Sequence, residues 1–232
     1  MRHKKGFIRA ILAISLGIVI LNGLSSYRNY IVQNEQQVMS VNYATEVSTE
    51  NWEIKSHIVT SGNVSEDTIQ KVCEIVKNDV QQEAWNFLCN SGGKLIIVEG
   101  DDIKQYVIEN YDTDGKAEKV KSKIKGYCPY FYEWDTLQKV DIVIGADCLD
   151  SLSHEFYHAF DYIHGYSSSE EFQKLFENAE TICRKVYPDD EIAIEYYSGQ
   201  ATEYFAEMAS LYSDGLLNGV DEELEHYLEG VL

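Results

Sequence analysis

Residues 154–161 read HEFYHAFD and decide how the chain is interpreted, because they place two histidines four positions apart in a strongly periodic segment. Apolar side chains recur around this stretch at spacings of three and four residues, which predicts a helix with one core-facing side. His154, His158 and Asp161 fall on the opposite side of that helix. Histidines four residues apart stand one above the other, so both imidazoles can bind the same ion.

The first five of these residues match the pattern H-E-x-x-H. In that pattern two histidines on one helical face bind zinc, and the glutamate is a general base for hydrolysis. Zinc binds imidazole nitrogen readily and needs no redox chemistry. The Glu155 carboxylate could reach a water on the metal and take its proton. We therefore expect one zinc ion per chain, bound by His154 and His158; the alternative is a surface helix with two solvated histidines.

A catalytic zinc site needs a third protein ligand and one open position, and His164 is the first candidate for the third ligand. It completes a metzincin-like spacing, but that pattern has a glycine where this chain has Asp161. On an unbroken helix His164 lies about 120° around from His158 and roughly 9 Å further along, too far to bind the same ion. We interpret Gly165 as the helix C-cap, and a metzincin-like site with His164 is kept as an alternative.

The second candidate for the third ligand is Glu203, in the segment TEYFAE at 202–207. Glu203 and Glu207 share one face of the predicted helix with two small residues. This face suits a helix that packs closely against another helix, with Glu203 at the metal. Glu207, one turn later, could accept a hydrogen bond from the second ring nitrogen of a ligand histidine, and Asp161 could do the same. The alternative is a solvated acidic helix.

HEFYHAFD, a tyrosine at position 196 and TEYFAE together resemble the anthrax-lethal-factor-like zinc metallopeptidases. That family includes the small secreted Pro-Pro endopeptidases of Gram-positive bacteria. The resemblance covers roughly residues 90–232. It implies a zincin-like α+β fold and hydrolysis of peptide bonds.

The resemblance also implies a role for individual residues. By position in the family's motifs, the zinc ligands are His154, His158 and Glu203, the base that activates water is Glu155, and the tyrosine that faces the reacting carbonyl is Tyr196. The chain departs from the family at Tyr157, where glycine is common. The large ring could alter packing beside the metal, but it removes no catalytic group.

The order of predicted elements indicates an α+β domain, with a small sheet followed by a mainly helical half that carries the active-site helix. Residues 26–60 are polar and weakly periodic and are interpreted as an N-terminal arm, and residues 61–232 as the zinc metallopeptidase domain. The predicted elements are a helix over 65–88, strands over 94–98, 127–134 and 140–144, a short helix over 103–110, and helices from 149 onward with breaks near Gly165, Pro188 and Gly199.

Residues 1–25 are typical of a signal peptide. Four basic residues precede an apolar run over residues 10–21, and Gly23 and Ser25 follow at the spacing that signal peptidase reads. We therefore expect a secreted, extracellular protein. The apolar run is short for a spanning helix, which needs about 20 residues. The alternative is an uncleaved membrane anchor over residues 7–24, and only then is the membrane expected to be a partner.

The composition excludes several classes of function. Lys and Arg number 19 against 39 Asp and Glu, which gives a net charge of −20. Binding to nucleic acid or to anionic lipid needs a basic face, so neither is an expected partner. The chain is 44% hydrophobic, as a folded domain should be. Its five cysteines form no CxxC pair, and we interpret them as small buried side chains rather than disulfides.

These features predict a secreted, monomeric zinc-dependent endopeptidase that acts on extracellular or surface proteins. A peptide substrate is expected to bind in extended form, as an added strand at a sheet edge near residues 127–134 or 140–144. Two alternatives belong to other classes: a non-catalytic binding protein that retains the fold, and an anchored surface protein whose metal is structural. A closed structural site needs four protein ligands, and the sequence offers no evident fourth.

Overall fold

The computed structural model describes residues 54–112, 115–120, 122–134 and 136–232. The predicted signal peptide and most of the predicted arm lie outside these residues. The end of the arm is described and belongs to the folded part of the chain. A 3-10 turn, Ile54–His57, leads into strand β1, Ile58–Ser61. The described fold therefore begins before residue 61.

The single helix predicted over 65–88 is two helices, α1 (Glu66–Asp79) and α2 (Gln82–Asn90). Ser65 caps the start of α1, where its hydroxyl accepts a hydrogen bond from the Thr68 backbone N–H at 3.1 Å. Val80 interrupts the helix because it takes an extended conformation, with φ −98° and ψ 135°. Both helices bury apolar side chains in the core.

A four-stranded sheet with the order β1-β2-β6-β3 forms the first layer. Its strands are β1, β2 (Leu95–Val98), β6 (Ile142–Gly145) and β3 (Gly126–Tyr127). The first three run parallel, and β3 pairs antiparallel with β6 at one edge. Every residue of β2 and β6 is buried, as expected for inner parallel strands with continuous apolar sequence.

The aromatic strand predicted over 127–134 is divided between β3 and β4 (Tyr130–Glu133). Pro129 lies at the break, and proline has no N–H to donate to a strand ladder. Strand β4 pairs with β5 (Thr136–Val140) in a separate hairpin. The strand predicted over 140–144 is therefore the last residue of β5 followed by β6. Two short helices, α3 (Lys104–Asn110) and α4 (Lys116–Lys119), connect β2 to β3.

The second half of the chain is helical, as predicted. Helix α5 (Leu152–His164) ends at Gly165, whose positive φ of 72° is the left-handed C-cap geometry that favours glycine. The remaining helices are α6 (Glu170–Phe176), α7 (Ala179–Val186), α8 (Glu191–Ser198), α9 (Ala201–Ser213) and α10 (Glu222–Val231). The helices are interrupted near Pro188 and near Gly199, as the sequence predicts.

Helix α5 contacts both the sheets and other helices of the described fold. It packs on β3, β5 and β6 on one side and on α9 on another, with α2 also in contact. Its core-facing side chains Leu152, Phe156, Ala159 and Phe160 are buried, as its periodicity predicts. The small sheet followed by a helical half confirms the α+β fold class.

All five cysteines are unpaired, and three of them are buried. In the part of the chain that the structure describes, no helix combines the length and apolar character needed to cross a membrane.

Candidate metal centre

Helices α5 and α9 bring three potential ligands to one point. His154 and His158 lie one turn apart on α5, and Glu203 lies in the first turn of α9. Glu203 Oε2 is 3.4 Å from His154 Nε2 and 3.3 Å from His158 Nε2. The three ligand atoms lie within 4.8 Å of one another. Among the described residues this is the group of His, Cys, Asp and Glu side chains that could hold a metal ion.

The spacing of these atoms fits zinc. Zinc–nitrogen and zinc–oxygen bonds of about 2.0–2.1 Å at tetrahedral angles place neighbouring ligand atoms about 3.3–3.4 Å apart. The two separations from the Glu203 oxygen match that value. Two imidazoles and one carboxylate are also the donor set of catalytic zinc sites, which leave a fourth position open. The residues present therefore fit a single zinc ion.

The alternative third ligand, His164, lies away from this group. Its Nε2 is 3.1 Å from Glu83 Oε2 on α2, and its ring stacks on Tyr166 with centroids 4.9 Å apart. Helix α5 continues unbroken to His164, so that residue projects from another side of the helix than His158. The structure does not bring His164 to the other two histidines.

Glu207 hydrogen-bonds to the ring nitrogen of His154 that faces away from Glu203. The Oε2 atom of Glu207 is 2.8 Å from His154 Nδ1. A carboxylate there favours a proton on Nδ1 and leaves the Nε2 lone pair for a metal. Glu207 also binds two tyrosines: Tyr187 donates its hydroxyl to Oε1, and Tyr197 hydrogen-bonds to the same carboxylate. The two tyrosine rings stack with centroids 5.6 Å apart.

Tyr187 and Tyr197 could not be identified as site residues from the sequence. The chain has 17 tyrosines, and neither of these two lies in a motif. Tyr187 follows α7 and Tyr197 lies in α8, so only the packing of α7, α8 and α9 brings them to one carboxylate. They extend the hydrogen-bonded chain that begins at His154.

The role predicted for Asp161 beside a ligand histidine is wrong. Its Oδ1 accepts a hydrogen bond from the Ser167 backbone N–H at 2.7 Å, and its Oδ2 accepts one from the Ser167 hydroxyl at 2.6 Å. His154 Nδ1 pairs with Glu207, and His158 Nδ1 has no hydrogen-bond partner among the residues that the structure describes. Asp161 is also buried, at 2% exposure, because the chain turns back over it after Gly165. It stabilises that turn.

The histidine and glutamate side chains of the candidate metal centre shift one another's pKa values. Burial lowers the pKa of His154, but hydrogen bonds with Glu203 and Glu207 outweigh burial and raise it to about 10. Burial raises the pKa of Glu203, yet its hydrogen bonds with His154 and His158 outweigh burial and hold the pKa well below its usual range. The pKa of Glu207 is likewise lowered, against burial, by its hydrogen bond with His154. Two ionised carboxylates at one buried point favour a divalent cation.

Glu155 follows the first histidine and is buried, with 7% exposure. Burial raises the pKa of its carboxyl group, against the lowering effect of His154 and His158. A carboxylate with a raised pKa is a stronger base and is better suited to proton transfer near neutral pH. The backbone of β3 passes directly over it at Gly126, where an added Cβ would lie 2.3 Å from Glu155 Oε1. The predicted base thus lies between the metal ligands and the sheet edge.

Tyr196, on α8, is brought to the same centre from the other side. Its side chain is 49% exposed, and its hydroxyl is close enough to Glu203 for that carboxylate to raise its pKa. Desolvation and then the charge of Glu203 raise the pKa of Tyr196, so that the hydroxyl keeps its proton. A protonated, partly exposed hydroxyl beside the metal ligands can donate a hydrogen bond to a ligand that enters the site.

Tyr157, the departure from the family pattern, points away from the metal ligands. Its hydroxyl hydrogen-bonds to Ser213 at the end of α9. The ring is buried, with 2% exposure. It therefore fills space between α5 and α9 and connects the helix of the histidines to the helix of Glu203.

Comparison with known proteins supports the fold. No protein-family model and no curated protein matches the chain. The structure of the PRO-PRO endopeptidase PPEP-2 from Paenibacillus alvei is similar, with a TM-score of 0.50 and 18% sequence identity. The similarity covers 77% of this chain and 99% of that one. Identity at this level shows a shared fold, and it confirms the fold expected from the sequence resemblance.

Proposed function

We propose that the protein is a secreted zinc-dependent endopeptidase that hydrolyses peptide bonds of extracellular or surface proteins. One observation carries the proposal: the ligand atoms of His154, His158 and Glu203 lie within 4.8 Å of one another, beside the buried carboxyl group of Glu155. The similarity to an endopeptidase structure supports the same reaction class. A set of three ligands leaves one position open, which favours catalysis over a structural role.

The ion would be held by the Nε2 atoms of His154 and His158 and by the Glu203 carboxylate. When bound, zinc supplies a Lewis acid that polarises a carbonyl and lowers the pKa of water towards 7. Glu207 orients the His154 ring through the hydrogen bond to Nδ1, and Tyr187 holds Glu207 in turn. These contacts preorganise the ligand set before any ion binds.

Glu155 and Tyr196 act directly on the reacting groups. Glu155 takes a proton from the attacking water and passes it to the leaving amine, because a single carboxylate can act as base and then as acid. Tyr196 donates its hydroxyl hydrogen bond to the oxygen that becomes negatively charged as the carbonyl is attacked. Its partial exposure leaves room for a substrate at that hydroxyl.

The substrate would bind in extended form along β3. Of the two sheet edges expected from the sequence, the one at residues 140–144 is occupied, since β6 already pairs with β2 and β3. Strand β3 is at the outer edge of the sheet and passes over Glu155 at Gly126. A peptide that adds a strand there places its backbone beside the base and the metal ligands.

The proposed site of action is extracellular. The basic and apolar pattern of residues 1–25 supports export, and the alternative anchor over residues 7–24 would leave the same domain outside the cell. The net charge of −20 favours a soluble product that repels copies of itself, in keeping with a monomer.

A peptide-library digest tests the proposal. The full chain is loaded with zinc, mixed with the library, and the products are identified by mass spectrometry. We expect cleavage that a chelator abolishes and zinc restores. The variant Glu155→Gln should keep its zinc and cleave at least 10²-fold more slowly, since the base is lost while the ligands remain. Cleavage that persists in the chelated protein, or an inert protein that holds stoichiometric zinc, would contradict the proposal.

A further inference from the structure

Gly126 lies against the side chain of Glu155. A Cβ atom added to Gly126 would be 2.3 Å from Oε1, 2.7 Å from Cγ and 2.8 Å from Cδ of Glu155. Non-bonded carbon and oxygen atoms do not approach so closely, because optimal separations are about 3.5–4.0 Å. The place that any other residue's Cβ would fill at position 126 is therefore taken by the Glu155 carboxylate.

Backbone conformation does not explain the glycine. Gly126 does not have a positive φ, so an alanine could adopt its backbone angles. Its neighbours also differ from those of two other close-packed glycines. At Gly93 an added Cβ would meet the backbone oxygen of Val140. At Gly145 it would meet the backbone oxygen of Gly100. At Gly126 the three nearest atoms all belong to the side chain of Glu155.

Glu155 has little freedom to move aside. It is 7% exposed, lies on a helix packed against β3, β5 and β6, and is flanked by the two ligand histidines. A methyl group at position 126 must therefore displace the carboxylate by about 1 Å or displace the strand. A misplacement of that size at a reacting group can cost about 10²-fold in rate.

We propose that Gly126 is a positioning residue for the general base. Its missing side chain lets the edge strand lie directly on Glu155 and fixes where the carboxylate stands relative to the metal ligands and the bound substrate. This inference rests on the proposed function, since it presumes that Glu155 transfers a proton. It also couples two parts of the site, because the strand that would hold the substrate is the strand that holds the base.

The first experiment compares Gly126→Ala with Gly230→Ala in the zinc-loaded full chain. Gly230 is a matched control, because a Cβ there meets nothing within 4 Å. For Gly126→Ala we expect kcat to fall by about 10²-fold, KM to change little, and zinc content and zinc affinity to stay unchanged. Gly230→Ala should leave kcat, KM, zinc content and zinc affinity at their wild-type values. A kcat within twofold of wild type in Gly126→Ala would overturn the proposal.

A double-mutant cycle then separates a displaced base from a damaged substrate edge. Glu155→Asp withdraws the carboxylate by one methylene and should lower kcat on its own. Adding Gly126→Ala to that variant should cost less than in wild type, because the carboxylate has already left the position that the methyl group would disturb, although Cγ stays 2.7 Å from the added Cβ. Residues in contact give such non-additive effects, and distant residues do not. An undiminished loss of about 10²-fold on the Glu155→Asp background would overturn the proposal.

A thermal measurement tests the contact without any activity. Overpacking by the new methyl group should lower the Tm of the wild-type background by about 2–4 °C, and Glu155→Ala should remove that loss by emptying the space. If Gly126→Ala lowers the Tm equally in the wild-type protein and in Glu155→Ala, the proposed contact between Gly126 and Glu155 is wrong. If the wild-type protein cleaves no peptide, the proposed function fails, whereas the Tm comparison still decides whether Gly126 packs on Glu155.

Discussion

Replacing Glu203 with alanine removes one of the three proposed zinc ligands and tests the assignment on which the active site depends. The Glu203 Oε2 atom lies 3.4 Å and 3.3 Å from the two histidine nitrogens, so its loss leaves a two-coordinate site. The side chain is only 18% exposed, and no other described carboxylate completes a group of three with these histidines. We expect no replacement ligand from the protein.

The size of the effect follows from the number of ligands. Structural zinc sites with four protein ligands bind zinc with about 10–16 kcal/mol, which is about 2.5–4 kcal/mol per ligand. Since about 1.4 kcal/mol corresponds to a tenfold change in affinity, Glu203→Ala should weaken zinc binding by about 10²–10³-fold. At a chelator concentration that leaves wild-type protein loaded, the variant should be metal-free and inactive.

Competition with a coloured chelator measures the affinity, and elemental analysis measures the stoichiometry. The matched control is His164→Ala, on the same helix as the ligand histidines but paired with Glu83 at 3.1 Å. That ion pair is partly exposed, so its loss should cost about 0–1 kcal/mol of stability and leave zinc binding unchanged. The reasoning is refuted if His164→Ala is metal-free while Glu203→Ala binds zinc and cleaves peptide like wild type. That result would indicate a metzincin-like site.

Three further predictions concern groups around the ligands. Tyr196→Phe should keep its zinc and lower kcat by about 10²-fold, measured by steady-state cleavage, because one oxyanion donor is lost; an unchanged kcat contradicts the role. Glu207→Gln should weaken zinc binding by about 10–100-fold in chelator competition, whereas an unchanged affinity would show that His154 needs no partner. The pKa of His154, raised to about 10, implies that zinc displaces a proton. Zinc affinity should therefore rise about tenfold per pH unit between pH 7 and 9, and a flat profile would contradict it.

The local part of the site could be predicted from the sequence. The positions of His154 and His158 depend only on the helical repeat, and a periodic apolar pattern fixes which side of α5 faces the core. The spacing of Glu203 and Glu207 on α9 follows in the same way. Two small residues on the same face as the two carboxylates predicted that α9 packs closely against another helix, and the structure places α9 in contact with α5.

The rest depended on tertiary structure. Asp161 shares the periodicity of a site residue, but the turn after Gly165 folds back and brings Ser167 onto its carboxylate. No local pattern encodes that fold-back. The break of the first helix at Val80 was missed for a related reason, since a valine carries no helix-stop signal and its extended conformation is imposed by the surrounding packing.

Tyr157 shows how a departure from a family pattern can be absorbed by the fold. The metal ligands come from two helices, so their spacing depends on how firmly α5 and α9 are held together. The hydrogen bond from Tyr157 joins α5 to Ser213 at the C-terminal end of α9, whereas His154 and Glu207 join the two helices near the ligands. A glycine at position 157 could make neither the packing contact nor the hydrogen bond. The large ring is therefore compatible with an intact ligand set, because it is directed into the helix interface and not into the open side of the metal centre.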